Sequence, residues 1–453
     1  MRWNARGAYI VTRRRTDRRR AWRRPGIAAP PLGVNMAANT RRIGLSLGAD
    51  LCWPAAYEEL MRRLDLDIEI DGERIRFDVD RVTVEPFDLE GPRKYDVVVD
   101  RLTHWFQTTR EWIKKITLAD GTYVLNNPWS IQANEKHTSY VAMMKLGLPI
   151  PRTWMLPPKE YDEDGDWSVT VQRYNKLFDL DGVGASVGYP AFFKPYDGGG
   201  WVGVRKVDNA AELKVAYDES GKRVHHLQAG VRDWDLFIRA IGVGPQVNIV
   251  KYDPAQPLHA RYVVDFGFID GEGWRRATRI CRTINAFFGW DFNSCEMLRA
   301  DGQLTAIDFA NACPDSQVTS LHYHWPWLVR ALVRWSVFCA ATRRPFRLNL
   351  DWDTFLAARN PELDLDAQLD VYDELAKKHF DSDRFDEFCA KHLSHLDEIA
   401  VDVFSSPAMR EIIRAKVAAL YPAHEVESFT DHFFGLVRFW CKTERDRLGL
   451  VVP

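Results

Sequence analysis

The sequence has no apolar run approaching the ~18 residues that cross a bilayer; patches such as Phe433–Trp440 are short and carry charge. It has no C-x-x-C pair. Its 7 cysteines (Cys52, Cys281, Cys295, Cys313, Cys339, Cys389 and Cys441) are odd in number and widely spaced. That excludes a disulfide frame and a zinc finger, and it fits reduced thiols in a cytoplasmic protein. Internal repeats are missing, as are a Gly-Lys-Ser/Thr P-loop ending and a Ser-His-Asp or Cys-His nucleophile motif. The glycines of Gly182-Val-Gly184-Ala-Ser-Val-Gly188 do not follow G-x-G-x-x-G. Read as opening no helix, they exclude a dinucleotide site.

Lysine is absent from residues 1–42, which hold 12 arginines and one acid, Asp17. The remainder carries a net charge of -13. The arginine tail could be a nucleic-acid arm or a targeting segment. Pro25, Pro30 and Pro31 break any amphipathic helix, so residues 1–40 are expected to be a disordered extension, with the working protein starting near Met36. An acidic body argues against nucleic acid as a partner.

What is present is 453 residues of ordinary globular composition, 46% hydrophobic and 27% charged, enough for about three domain-sized units. From residue 41, strands at Arg42–Leu47, Arg74–Val84, Tyr95–Leu102 and Thr122–Leu125 alternate with helices at Trp53–Leu66, Thr108–Leu118 and Ile131–Leu146. Alternation of that kind predicts an α/β domain over 41–150 with a mainly parallel sheet. Over 151–345 strand pairs bounded by Gly and Asp turns predict an α+β region with antiparallel strands. Residues 346–453 read as helical, with helices at Asp366–His379, Asp383–Ser394, Pro407–Leu420 and Val426–Leu448.

Two segments carry chemistry. In Tyr189-Pro-Ala-Phe-Phe-Lys194-Pro-Tyr-Asp-Gly-Gly-Gly a buried strand, Ala191–Lys194, delivers a lysine beside a loop of Gly198, Gly199 and Gly200. Exposed backbone N–H groups and a point charge suit a polyphosphate; a tight hairpin with an incidental lysine is the plainer alternative. In Glu296-Met-Leu-Arg-Ala-Asp-Gly-Gln-Leu-Thr-Ala-Ile-Asp308 the turn at Asp301-Gly302 makes a hairpin. Regular pairing about Gly302 places Glu296 opposite Asp308. Two facing carboxylates repel, and a shared Mg²⁺ would relieve that repulsion, with Asn311 adding a neutral oxygen. The alternative is two surface acids across a turn.

The ordered motifs resemble the ATP-grasp superfamily, especially glutathione synthetase-like and ribosomal-protein-modifying carboxylate–amine ligases. Asn127 to Tyr140 is similar to the family's entry helix, which would put Lys136 on ATP phosphate. Pro190 to Pro195 resembles the strand of the second ATP lysine, Lys194, and Gly198–Gly200 the mobile phosphate loop. Leu227-Gln-Ala-Gly-Val231 resembles the adenine-receiving hinge, implying roles for Gln228 and Val231. The resemblance further implies Asp235 at the ribose, Arg239 on the transferred phosphate, Leu298 beneath adenine, and Glu296 and Asp308 as Mg²⁺ ligands. Asn311 stands three residues after Asp308 where the family places it two after; a bulge would restore its aim. The activity implied is an ADP-forming ligase that activates a carboxylate as an acyl phosphate for attack by an amine, with Lys194 and Arg239 as catalytic groups. Small-molecule or peptide carboxylates and amines are the partners implied, with no membrane partner and the oligomeric state open. A phosphotransferase on the same scaffold, or a non-catalytic ATP-binding assembly protein, are the alternatives.

Weaker features are His322-Tyr-His324, read as an aromatic cluster rather than metal ligands on a strand, and His225-His226, read as structural. Arg261, Arg279 and Arg282 are open between substrate binding and surface solvation.

Overall fold

Strand β1 (Asn39–Ser46) lies at the centre of a five-stranded sheet. A computed structural model describes residues 39–48, 50–83, 86–102, 106–133, 136–161, 178–197, 202–311 and 313–450; the arginine-rich segment falls outside them. With β2 (Asp67–Ile70), β3 (Glu73–Arg81), β4 (Val97–Asp100) and β5 (Tyr123–Leu125) the order is β2-β3-β1-β4-β5. All pairings are parallel except β2 with β3. Val97, Val98 and Val99 are all buried, as expected of a parallel strand covered on both faces. Gly44 is needed at the crossing, since a Cβ there would sit 2.8 Å from Val82 and 3.0 Å from Tyr95. β2 was not expected; its hairpin turn is Asp71-Gly72, both at positive φ, a turn signal overlooked beside the longer β3.

Helix α1 (Trp53–Leu64) starts on Trp53-Pro54 and buries Trp53, Tyr57, Leu60 and Met61 along one face. Helix α2 (Gln107–Ala119) lies against the edge beside β5. The single helix expected over Ile131–Leu146 is two, α3 (Pro128–Ala133) and α4 (Lys136–Lys145). The first starts early because Asn127 Oδ1 accepts from the Trp129 N–H at 2.9 Å, an N-cap. α4 ends where Gly147 takes φ 79°, a left-handed stop that glycine adopts freely.

Strands β6 (Thr153–Leu156), β7 (Ala191–Pro195), β8 (Arg205–Val207) and β9 (His225–Ala229) form an antiparallel sheet in the order β6-β9-β7-β8. It has its own small core of Leu156, Val187, Phe193, Leu213 and Leu227. Gly182 and Gly184 lie inside a helix, Leu180–Val187, capped by Asp179. The expectation that they belong to no helix is therefore corrected, because the Asp179 cap outweighs the glycines' poor helix propensity.

The third sheet is antiparallel: β10 (Leu236–Val243), β11 (Gln246–Tyr252), β12 (Tyr262–Val263), β13 (Phe292–Ala300) and β14 (Gln303–Asp308), in the order β12-β11-β10-β13-β14. Helix Gly271–Phe288 packs on it through Ala277, Ile280, Cys281, Ile284 and Phe288, a helical stripe. Helix Trp325–Ala341 is buried almost all round and joins the first and third sheets in one continuous core. Helices Leu365–Phe380, Ser382–His392, Leu396–Ser405, Pro407–Ala418 and Val426–Leu448 complete the chain. Arg279 pairs with Asp366 and Asp370, and Arg282 with Asp373 at 3.1 Å. Both arginines thus fasten the helix Leu365–Phe380. Arg261 donates to the Gln256 carbonyl at 3.0 Å. His322–His324 is a 3-10 turn, not a strand, packed with Phe439 and Phe266. No described helix is long and apolar enough to cross a membrane, and all seven cysteines are free thiols.

Asp291 sits at the heart of this core, accepting from Tyr123 OH at 3.0 Å and Trp335 Nε1 at 3.2 Å. Burial pushes its pKa from 3.8 up to about 6, against the pull of Arg344 and the two hydrogen bonds. A carboxyl raised by folding contributes stability that is fully present below its unfolded value and lost as pH rises through the folded one. Unfolding free energy is therefore expected to fall by up to about 3 kcal/mol between pH 4 and about 6 on this account. Denaturant titrations across that range should show the fall, and Asp291→Asn should flatten it.

Candidate functional site

The pairing of β7 with β9 sets Lys194 across from His226 and Phe192 across from Gln228. Register partners share a face, and alternate residues along a strand do too. Lys194, His226 and Gln228 thus line one side, and Phe193 and His225 the other. Lys194 is almost wholly buried. Its Nζ donates to Gln228 Oε1 at 2.7 Å and to Tyr140 OH at 3.3 Å. Burial, helped by the nearby Lys136, pulls its pKa down to about 8, with Asp308 and Glu296 opposing. Affinity for a phosphate-bearing ligand is expected to weaken as pH rises through about 8, where Lys194 loses its charge. Binding isotherms across that range should show this, and Lys194→Met should remove it.

The hairpin β13–β14 faces this group. Its turn is Asp301-Gly302, both at positive φ, and the pairs run Ala300↔Gln303 to Met297↔Ala306. That register would set Glu296 against Ile307. Instead it shifts, and Glu296 pairs with Asp308. The expected facing of the two acids is present, but through a bulge at Ile307 rather than a regular hairpin centred on Gly302. The released Ile307 carbonyl accepts from Tyr140 OH at 3.0 Å.

Each acid has a cation. Lys136, first residue of α4, donates to Asp308 Oδ2 at 2.6 Å. Burial disfavours its charge, yet Asp308 and Glu296 hold its pKa above the ordinary value. Arg239, in register with Glu296 on β10, forms an ion pair with it and donates to Tyr262 OH at 3.0 Å. The guanidinium lies 4.4 Å from the Tyr252 ring centre. Burial pushes Glu296 up despite Arg239. Asp308 is held low: burial acts against its charge, but Lys136 and Lys194 outweigh it.

The remaining expected residues fall at different distances from this centre. Leu298 is buried two residues along β13 from Glu296. Gly230 donates to the Pro190 carbonyl at 2.8 Å. A Cβ there would sit 2.7 Å from the same oxygen, so the 227–231 crossing needs glycine; Val231 packs partly buried beside it. Asp235 is tied to Arg299 at 2.6 Å and is more than half exposed, just before the Leu236–Arg299 end of the β10–β13 pairing, in which Arg239–Glu296 is a central pair. Asn311 returns to β13, its N–H donating to Asn293 Oδ1 at 3.1 Å and its Nδ2 to Ser294 Oγ at 2.9 Å. Gly198, Gly199 and Gly200 lie outside the described residues.

Among the described residues no group of three or more His, Cys, Asp or Glu is arranged to hold a metal. The paired Glu296 and Asp308 nevertheless suit Mg²⁺, which is commonly held by one or two carboxylates with substrate phosphates completing the shell.

Three residues in the cluster were not expected there: Tyr140, His226 and His137. The spacing Lys136–Tyr140 sets both on one helix face, and strand alternation sets His226 with Gln228; either signal was available.

No protein-family model matches the sequence, and no curated protein matches it. Solved structures do overlap with it. A RimK-domain ATP-grasp protein from Sphaerobacter thermophilus is 12% identical, with TM-score 0.44, covering 65% of this chain and 99% of that one. A D-alanine–D-alanine ligase from Bacillus anthracis complexed with ATP is 14% identical, with TM-score 0.44, over 67% and 97%. The D-cycloserine synthetase DcsG is 15% identical, with TM-score 0.41, over 64% and 98%. Overlap of this extent is a likeness and nothing more.

Proposed function

We propose that the chain is an ADP-forming, ATP-dependent carboxylate–amine ligase with an ATP-grasp active centre. The observation that supports this best is the charge arrangement: Glu296 and Asp308 face one another across a bulged hairpin, each with its own mostly buried cation, Arg239 and Lys136, and with Lys194 close enough to act on both acids. Three cations and two acids brought together with their side chains largely shielded from solvent match a transferring phosphoryl group and its metal. Lys136 and Lys194 would hold the phosphate chain of ATP. Glu296 and Asp308, with Asn311 as a further oxygen donor, would hold Mg²⁺. Bound there, Mg²⁺ would neutralise phosphate charge.

In the first step a substrate carboxylate oxygen bonds to the γ-phosphorus, and ADP leaves with the electrons of the broken P–O bond. In the second an amine attacks the acyl carbon; inorganic phosphate leaves and the amine loses a proton. Arg239 would neutralise charge on the transferred group, and the protein's contribution is chiefly positioning. Adenine would stack on Leu298 and meet the 227–231 crossing, including Gln228 and Val231, with Asp235 toward the ribose and Gly198–Gly200 over the phosphates. Mg²⁺-dependent ADP release that needs both a carboxylate and an amine tests this reading; its absence across broad panels of both would overturn it.

A further inference from the structure

We infer that His226, with His137 beside it, is a hydrogen-bonding subsite for the polyphosphate of the bound nucleotide. The inference rests on the nucleotide-site reading above. His226 is fully buried, yet neither ring nitrogen has a hydrogen-bond partner among the described residues. A neutral imidazole has one donor and one acceptor, and buried polar atoms left unpaired are rare enough to need an explanation.

Its neighbour in sequence shows what a purely structural histidine does on this strand. His225 stacks on Phe193, with ring centres 4.2 Å apart, and its Nδ1 is 2.9 Å from the Arg223 carbonyl oxygen. His226 has no such provision. It points to the opposite face, across from Lys194, with ring contacts to His137 at 5.7 Å and Tyr140 at 5.9 Å.

His137 follows Lys136 on α4, and its Nδ1 is likewise buried without a partner among the described residues. Its ring lies 6.4 Å from that of Tyr196, two residues after Lys194. Two imidazoles with nitrogens unpaired among the described residues therefore lie together, one next to Lys136 in sequence and one across from Lys194. The acids closest to hand, Asp308 and Glu296, are taken by Lys136 and Arg239. Burial first, then the positive field of Lys194 and Lys136, drives the His226 pKa down to about 3, so the ring is neutral and offers an N–H. An anionic oxygen is the ligand atom this surrounding favours. Among the described residues no third His, Cys, Asp or Glu joins the two rings to make a metal-binding group.

The test uses the full chain and three probes: MgADP, inorganic tripolyphosphate and adenosine. His226→Phe keeps the ring volume. It is expected to weaken binding of MgADP and tripolyphosphate by on the order of tenfold or more, the value of a hydrogen bond to a charged group, while adenosine binding is unchanged. His137→Phe, on the more accessible ring, should weaken the same two ligands. Unchanged affinity for both polyphosphates in His226→Phe would overturn the proposal. Should that variant not fold, ¹⁵N-histidine spectra of the native protein decide. The His226 ring signals are expected to move with MgADP and not with adenosine, and signals unmoved by saturating MgADP would overturn it. A native protein that binds neither MgADP nor tripolyphosphate would remove the nucleotide-site reading and this proposal with it, an outcome distinct from the other two.

Discussion

Lys194→Ala is expected to lower ligase turnover by on the order of 10²–10³-fold, the loss seen when one preorganised electrostatic group is taken from a transition state. The side chain is the hub of the site, bonded to Gln228 and Tyr140 and within 3.5 Å of the Ile307 carbonyl. Its removal leaves those acceptors facing a hole between β7 and the bulged hairpin. Lys194→Arg should not rescue turnover, because a planar fork does not fill a space shaped for a compact ammonium. Single-turnover measurements at saturating ATP separate this loss from weaker nucleotide binding. Near-normal product formation by Lys194→Ala would remove the lysine from the mechanism.

The second large effect concerns stability and turnover together. Glu296→Leu is expected to destabilise the protein by about 3–5 kcal/mol, because it strands the Arg239 charge in a mostly buried position. In the double variant Glu296→Leu/Arg239→Met most of that stability should return, since a hydrophobic pair of similar size replaces a buried ion pair at little net change. Turnover should stay lost in both, as the proposed metal ligand is gone from each and the proposed phosphate-facing cation from the double variant as well. Urea unfolding of the two variants beside the native chain measures the first part, and ADP release the second. A double variant that recovers activity along with stability would make the pair structural only.

How far this site could be read from the sequence varied with the kind of interaction. The alternation of strands and helices before Pro149 was legible because parallel strands such as Val97–Asp100 are runs of apolar residues, and α1 has a regular buried stripe. The facing of Glu296 and Asp308 was legible from the Asp-Gly turn, but its cause was not. The two-residue turn sets a register one residue out, and the bulge at Ile307 corrects it. Bulges depend on what the freed carbonyl meets, here the Tyr140 hydroxyl 167 residues earlier, and no local pattern encodes that. The same holds for Arg279 and Arg282. As a sequence they read equally well as ligand-binding or solvated, and only the packing of the helix Leu365–Phe380 against Gly271–Phe288 gives them Asp366, Asp370 and Asp373. His226 was read as structural because a histidine pair just before the 227–231 hinge segment carries no positional signal. Its significance comes from two nitrogens without partners among the described residues, which only the surrounding side chains reveal.

The proposed activation of a carboxylate by ATP can be followed directly. The direct measurement supplies ¹⁸O-labelled carboxylates with amines, MgATP and the full chain, and follows the label by mass spectrometry. ADP, a ligated product and inorganic phosphate carrying one ¹⁸O from the carboxylate are expected, all formed on the order of 10²–10³-fold more slowly by Lys194→Ala. Phosphate that stays on the acceptor, or ADP formed with no label in the released phosphate, would contradict that activation.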